Sequence, residues 1–107
     1  MSRAADGGVV LARGAVRFDV SAETRLPAAS PAGIAHQIRQ DLWRRLRRLR
    51  GFAPVVSVTP DGDGLHIVAG GVVTGAIPPG TGAEIAALLE HRGNRARWLA
   101  HARRGQG

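Results

Sequence analysis

Arginine and tryptophan are the residues of this chain whose type and spacing could do chemistry. All 15 basic residues are Arg, with no Lys, and they are unevenly placed. Residues 32–50 hold six Arg against one Asp, residues 91–107 hold five Arg and no acid, and the remainder holds four Arg against seven acids. A Lys-free, Ala- and Gly-rich chain has the bacterial-type composition of GC-rich coding, but codon bias would scatter Arg rather than gather it. In the first basic run, residues 32–50 with the string QIRQDLWRRLRRLR at its end, helical spacing at about 100° per residue puts Ile34, Ile38, Leu42, Leu46 and Leu49 in one stripe and Arg44, Arg47 and Arg48 opposite it. Trp43 falls at the boundary, flanked by His36, Arg39, Arg47 and Arg50. Guanidinium groups around an indole suit a phosphate backbone with an unstacked base. They equally suit an acidic protein groove that takes Trp as an anchor. A solvated helix face is the bland alternative. The tail repeats the theme, with Arg95 and Arg97 beside Trp98 and with Arg92, Arg103 and Arg104 nearby. The expected partner-binding residues are therefore Arg39, Trp43, Arg44, Arg47, Arg48, Arg50, Arg95, Arg97 and Trp98, merged into one positive surface.

Other chemistries find few residues to use. There is no Cys, which removes disulfides, thiolate metal sites and thiol nucleophiles. His36, His66, His91 and His101 are far apart, with no pair at HExxH spacing. No G-x-S-x-G is present, and lack of Lys removes Schiff-base catalysis. Asp61-Gly62-Asp63-Gly64 begins like a calcium loop, but Leu65 and Val72 stand where the fifth and twelfth ligands belong, so it is expected to be a turn. The string Ile77–Glu84 (IPPGTGAE) resembles the phosphate-binding loop of AAA-type ATPases; Ile77 replaces its first Gly, and Ala83 and Glu84 replace Lys and Ser/Thr, so a Gly-rich helix entry is expected. The expectation is a protein that is not an enzyme and has no cofactor and no metal.

The elements that must position these residues can be read from periodicity. Residues 1–8 are expected to be a flexible lead, 9–104 a single α+β domain and 105–107 a flexible tail. Even positions from Val10 to Ala22 are mostly apolar between Arg13, Arg17, Asp19, Ser21 and Glu23, which predicts one half-buried strand bent at Gly14, with a loop at TRLPAA. Ser30-Pro31 predicts a capped helix start and Gly51 its end. Pro54–Thr59, Leu65–Ala69 and Val72–Ile77 predict a three-stranded meander, turning at Asp61–Gly64 and at Gly70-Gly71. A last helix starts near Thr81 or Gly82 with Ile85, Leu88 and Leu89 inward, and Gly93-Asn94 predicts a break before Arg95–Arg104. The order is β-α-β-β-β-α, a four-stranded, mainly antiparallel sheet with two helices on one face. With only Phe18, Phe52, Trp43 and Trp98 aromatic, stability near the lower end of ~5–15 kcal/mol is expected.

The helix–three strands–helix order over about residues 31–92 resembles the double-stranded-RNA-binding domain in topology. That family's last helix opens with a basic cluster, whereas Thr81-Gly82-Ala83-Glu84 stands here, so its contacts are not carried over. The other sheet face, with Val55, Ser57, Val68, Val72 and Thr74, is expected to stay open or to serve a homo-oligomer. No apolar run approaches the ~20 residues of a membrane span, and no signal-peptide core is visible, so a cytoplasmic protein is expected. The functional expectation is a small basic accessory protein that docks nucleic acid, with a protein adaptor or inhibitor facing an acidic surface as the alternative.

Overall fold

Ser30 and Pro31 open the first helix as their chemistry dictates. The Ser30 Oγ accepts the Gly33 N–H at 3.2 Å, and Pro31 occupies a first-turn position where a missing N–H costs nothing. Helix α1 runs Pro31–Leu46 and buries Ile34, Ala35, Ile38, Leu42 and Leu46. It ends five residues before Gly51. Arg47 is its C-cap, and Leu49 lies in the following turn, partly buried against the core. Gly51 closes that turn at φ +66°, where a Cβ would also lie 1.8 Å from the Thr74 Oγ1.

The computed structural model describes residues 2–3, 6–12 and 16–104, so the expected bend at Gly14 and the expected tail at 105–107 lie outside the described residues. Among the described residues the fold is α+β, with five strands and three helices rather than four and two. The strands are β1 (Ser2–Arg3), β2 (Val9–Ala12), β3 (Val20–Pro27), β4 (Ala53–Asp61) and β5 (Gly64–Val72); the later helices are α2 (Thr81–Glu90) and α3 (Arg92–Arg104). All pairings are antiparallel, in the order β1-β2-β4-β5-β3. Ser2 and Arg3 thus pair with β2, inside the stretch expected to be a lead.

The single strand expected over residues 10–22 is two strands on opposite flanks of the sheet, with the β4–β5 hairpin between them. Phase explains the split. Val9 and Leu11 are buried in β2, so odd positions face the core there, whereas Leu26 is buried and Ala22 packs on the core in β3, so even positions do. A flat strand cannot change parity, so the chain must break between them. The β3 strand also absorbs most of TRLPAA, expected to be a loop.

The Asp61–Gly64 turn is present, with Gly62 at φ +63°, but Gly70-Gly71 is not a turn. Both glycines lie within β5, and Val73–Pro78 form no third meander strand. The order between the helices is therefore two strands, which departs from the double-stranded-RNA-binding arrangement. Pro54 and Pro60 are tolerated in β4 because β2 pairs only with Val55–Val58, leaving both prolines outside that ladder.

Helix α1 packs over β2 and β4, α2 over β3, and α3 on α1 and α2. Val9, Leu11, Val56, Val58, Leu65, Ile67 and Ala69 meet the helices, including Ile85, Leu88 and Leu89 of α2 as expected. The opposite face carries Val10, Val55, Ser57, His66, Val68 and Val72 beside Glu23 and Arg25. There, His66 pairs with Glu23 at 3.3 Å, and Arg25 pairs with Asp61. Thr74 lies past the end of β5 and donates to the Arg50 carbonyl instead.

Asp19 fastens the start of β3 to the end of β5. Its N–H donates to the Gly71 carbonyl at 2.9 Å, and its carboxylate accepts the Val73 N–H at 2.9 Å. The Val73 N–H chiefly, with Arg17 helping against partial desolvation, holds the Asp19 carboxyl below its ordinary 3.8. A carboxyl lowered by folding contributes stability that is present above about pH 4 and lost as pH falls through the folded value. The Asp19→Asn variant should therefore be less stable than the parent at neutral pH. In urea midpoints measured from pH 7 down to pH 2.5, the gap should narrow on the acid side; a constant gap would exclude this role.

Candidate functional site

Two helix ends decide where the arginines go. Helix α2 stops at His91, two residues earlier than the expected break at Gly93-Asn94. His91 has an extended ψ of 119°, its carbonyl accepts the Arg95 N–H at 3.0 Å, and its Nδ1 accepts the Asn94 N–H at 3.1 Å. It is the N-cap of α3. Gly93 leaves room for that ring, since a Cβ there would stand 3.0 Å from the His91 Cε1. Asn94 caps the other helix, with its Nδ2 donating to the Leu88 carbonyl at 3.1 Å. The Arg95 guanidinium takes the next free carbonyl of α2, at Leu89, at 3.0 Å. It also donates to the Thr24 Oγ1 at 2.9 Å and to the Arg25 carbonyl at 2.5 Å. Its side chain is only 24% exposed. Arg95 joins α2, α3 and β3, and its guanidinium nitrogens are committed to those contacts.

Trp98 is also removed from the expected surface. It is 0% exposed, the largest fully buried side chain, and its Nε1–H donates to the Asp41 Oδ2 at 2.7 Å. An indole fits such a place because its ring fills the junction while its single N–H finds an acceptor. Arg97, next to it, donates to the same oxygen at 2.5 Å, and Arg44 approaches the other Asp41 oxygen at 3.8 Å. Asp41, the lone acid of the first basic run, thus joins α1 to α3 and absorbs charge from both basic stretches. The sequence reading gave it no part. Its signal was its solitude among arginines.

Helix α3 lies along the Asp41 flank of α1, with Ala102 so near Gly33 that a Cβ on Gly33 would be 3.2 Å from it. Trp43 is about 160° around α1 from Asp41, on the flank turned away from α3. The nine expected residues therefore do not form one surface. Arg39, Trp43 and Arg47 follow one another at four-residue spacing on the free flank of α1, with Arg50 just beyond in the turn. Trp43 is 48% exposed there. Arg47 also borders a hollow at the end of α1, lined by Arg44, Arg45, Arg48 and Glu84. Glu84 pairs with Arg45 at 2.8 Å. Among the described residues, no carboxylate stands within salt-bridge range of Arg39, Arg47, Arg48 or Arg50. Part of this clustering serves α1 itself, because cations favour a helix C-terminus.

A groove of about 450 Å³ separates α1 from the α2–α3 junction, lined by Asp41, Arg44, Arg45, Glu84, Ala87, Leu88, His91 and Asn94. Several of its polar side chains already have partners: Asp41 with Trp98 and Arg97, Glu84 with Arg45, His91 with the Asn94 N–H, and Asn94 with the Leu88 carbonyl. Among the described residues no set of three or more acidic or His side chains is placed to hold a metal ion, and no helix is long and apolar enough to cross a membrane. No protein-family model, no curated protein and no solved structure matches the chain.

Proposed function

We propose that this is a non-catalytic basic accessory protein that docks nucleic acid through the free flank and C-terminal end of α1. The observation behind the reading is the cationic face itself. Arg39, Arg47, Arg48 and Arg50 have no carboxylate within salt-bridge range among the described residues, while Asp41 and Glu84, the second of which shares the hollow with Arg47 and Arg48, are already engaged by other arginines. The net charge of +7 adds a field that draws polyanions to that face. Arg44 takes part at the rim, where it is 69% exposed despite its contact with Asp41. Arg95, Arg97 and Trp98 support the fold instead.

The test is binding of labelled oligonucleotides over a salt series. Affinity should fall linearly on a log–log plot, by about 0.7–0.9 in slope for each phosphate neutralised. The double variant Arg47→Glu, Arg48→Glu should bind roughly tenfold or more weakly to every sequence, with a shallower slope. A flat salt response would remove the proposal. The alternative reading, an adaptor or inhibitor that grips an acidic protein surface, draws on the half-exposed Trp43 as an anchor.

A further inference from the structure

We infer that the α1 flank takes single-stranded rather than duplex nucleic acid, with Trp43 as the platform on which an unpaired base stacks; the inference rests on the proposed nucleic-acid reading. Trp43 is one of three large apolar side chains left exposed among the described residues, and it alone lies within a run of arginines. Arg39 is four residues before it and Arg47 four after, so the three side chains follow one another over about 12 Å of helix axis. A large apolar ring left 48% in water is a cost the free protein bears, and a planar, apolar partner recovers it.

Phosphates explain the arginines but not the ring. A duplex presents phosphates on its outside and keeps its bases stacked on one another, which would leave the indole uncovered. A single strand presents both in alternation, and every base has a face that can stack on an aromatic ring whatever its sequence. An acidic peptide would satisfy the arginines through carboxylates, yet it need not carry an aromatic face for the indole, whereas every nucleotide does. Flanking guanidinium groups match both needs, because they pair with phosphate and also stack on bases.

The two tryptophans make the test direct. Trp98 is buried against Asp41, so quenching of the solvent-exposed emission reports Trp43 alone. The intact protein is titrated with a dT12 single strand, a 12-base-pair duplex and a poly-glutamate peptide in 0.1 M salt. The dT12 strand should quench Trp43 and bind at least tenfold more tightly than the duplex. Trp43→Ala should weaken dT12 binding by roughly 5- to 150-fold while changing duplex binding little, and Trp43→Phe should restore most of the loss. Trp98 emission in the Trp43→Ala variant verifies its fold. If duplex and dT12 bind alike and Trp43→Ala affects neither, the single-strand inference is overturned while the cationic reading stands. If neither oligonucleotide binds and poly-glutamate does, both fall.

Discussion

Replacing Trp98 with alanine will cost about 3–5 kcal/mol of folding stability, whereas the same change at the half-exposed Trp43 will cost only about 1 kcal/mol. The two residues look alike in sequence, each set among arginines, and they differ in what surrounds them. Trp98 is completely enclosed where α3 meets α1, so its loss leaves a cavity and leaves Asp41 without the N–H that it accepts at 2.7 Å. The Asp41 carboxylate then keeps only arginines, one of them at 3.8 Å. For a small domain with ~5–15 kcal/mol in total, such a loss leaves little. Chemical denaturation followed by far-UV circular dichroism will separate the two variants. Equal midpoints would mean that α3 is not anchored through its indole.

Gly70→Ala will separate β3 from β5 although it adds one methyl group. A Cβ at this position would lie 2.0 Å from the Val20 carbonyl oxygen and 2.7 Å from the Ser21 Cα, distances that real Cβ atoms do not show. Both obstacles are backbone, so no rotamer change relieves them and the strands must part. The expected cost is at or above the upper end of the roughly 1–3 kcal/mol typical of overpacking. Gly82→Ala is the matched control. Its Cβ would meet only ordinary contacts at 3.9 Å and beyond, in a helix, where losing a glycine should add about 0.4–1 kcal/mol. Urea midpoints give the two signs, and amide exchange should show faster exchange in β3 of the Gly70→Ala protein.

The same glycines show where sequence reasoning stopped. Gly-Gly is strong turn chemistry, and nothing local distinguishes a turn from a strand whose neighbours pass too close for a side chain. That information lies in β3 and β4, distant in sequence. Likewise, alternation over residues 10–22 marks extended chain, but the parity change between Leu11 and Val20 becomes visible only when the buried side is known. Helix α1 was legible because its signals are local: a Ser-Pro start and a stripe recurring every three or four residues. Ile85, Leu88 and Leu89 of α2 were legible for the same reason. For the site, composition located the arginines without ranking them. Trp43 and Arg47 remain outside with Arg39 partly buried beside them, while Arg95 and Trp98 are engaged by carbonyls and a carboxylate that no motif announces.

The Arg95 bond to the Arg25 carbonyl also bears on how molecules of this protein meet one another. Among the described residues, strand β3 is the outermost long strand, eight residues bonded to a neighbour on one side only. Such a border is a template on which another chain can lay its own backbone. Here the Arg95 guanidinium already occupies one of the outward carbonyls, Pro27 has no N–H to offer, and Glu23 and Arg25 put charge on the rim. The cation that fastens α3 in place therefore also guards the sheet against lateral growth, so its removal would favour aggregation as well as weaken the fold.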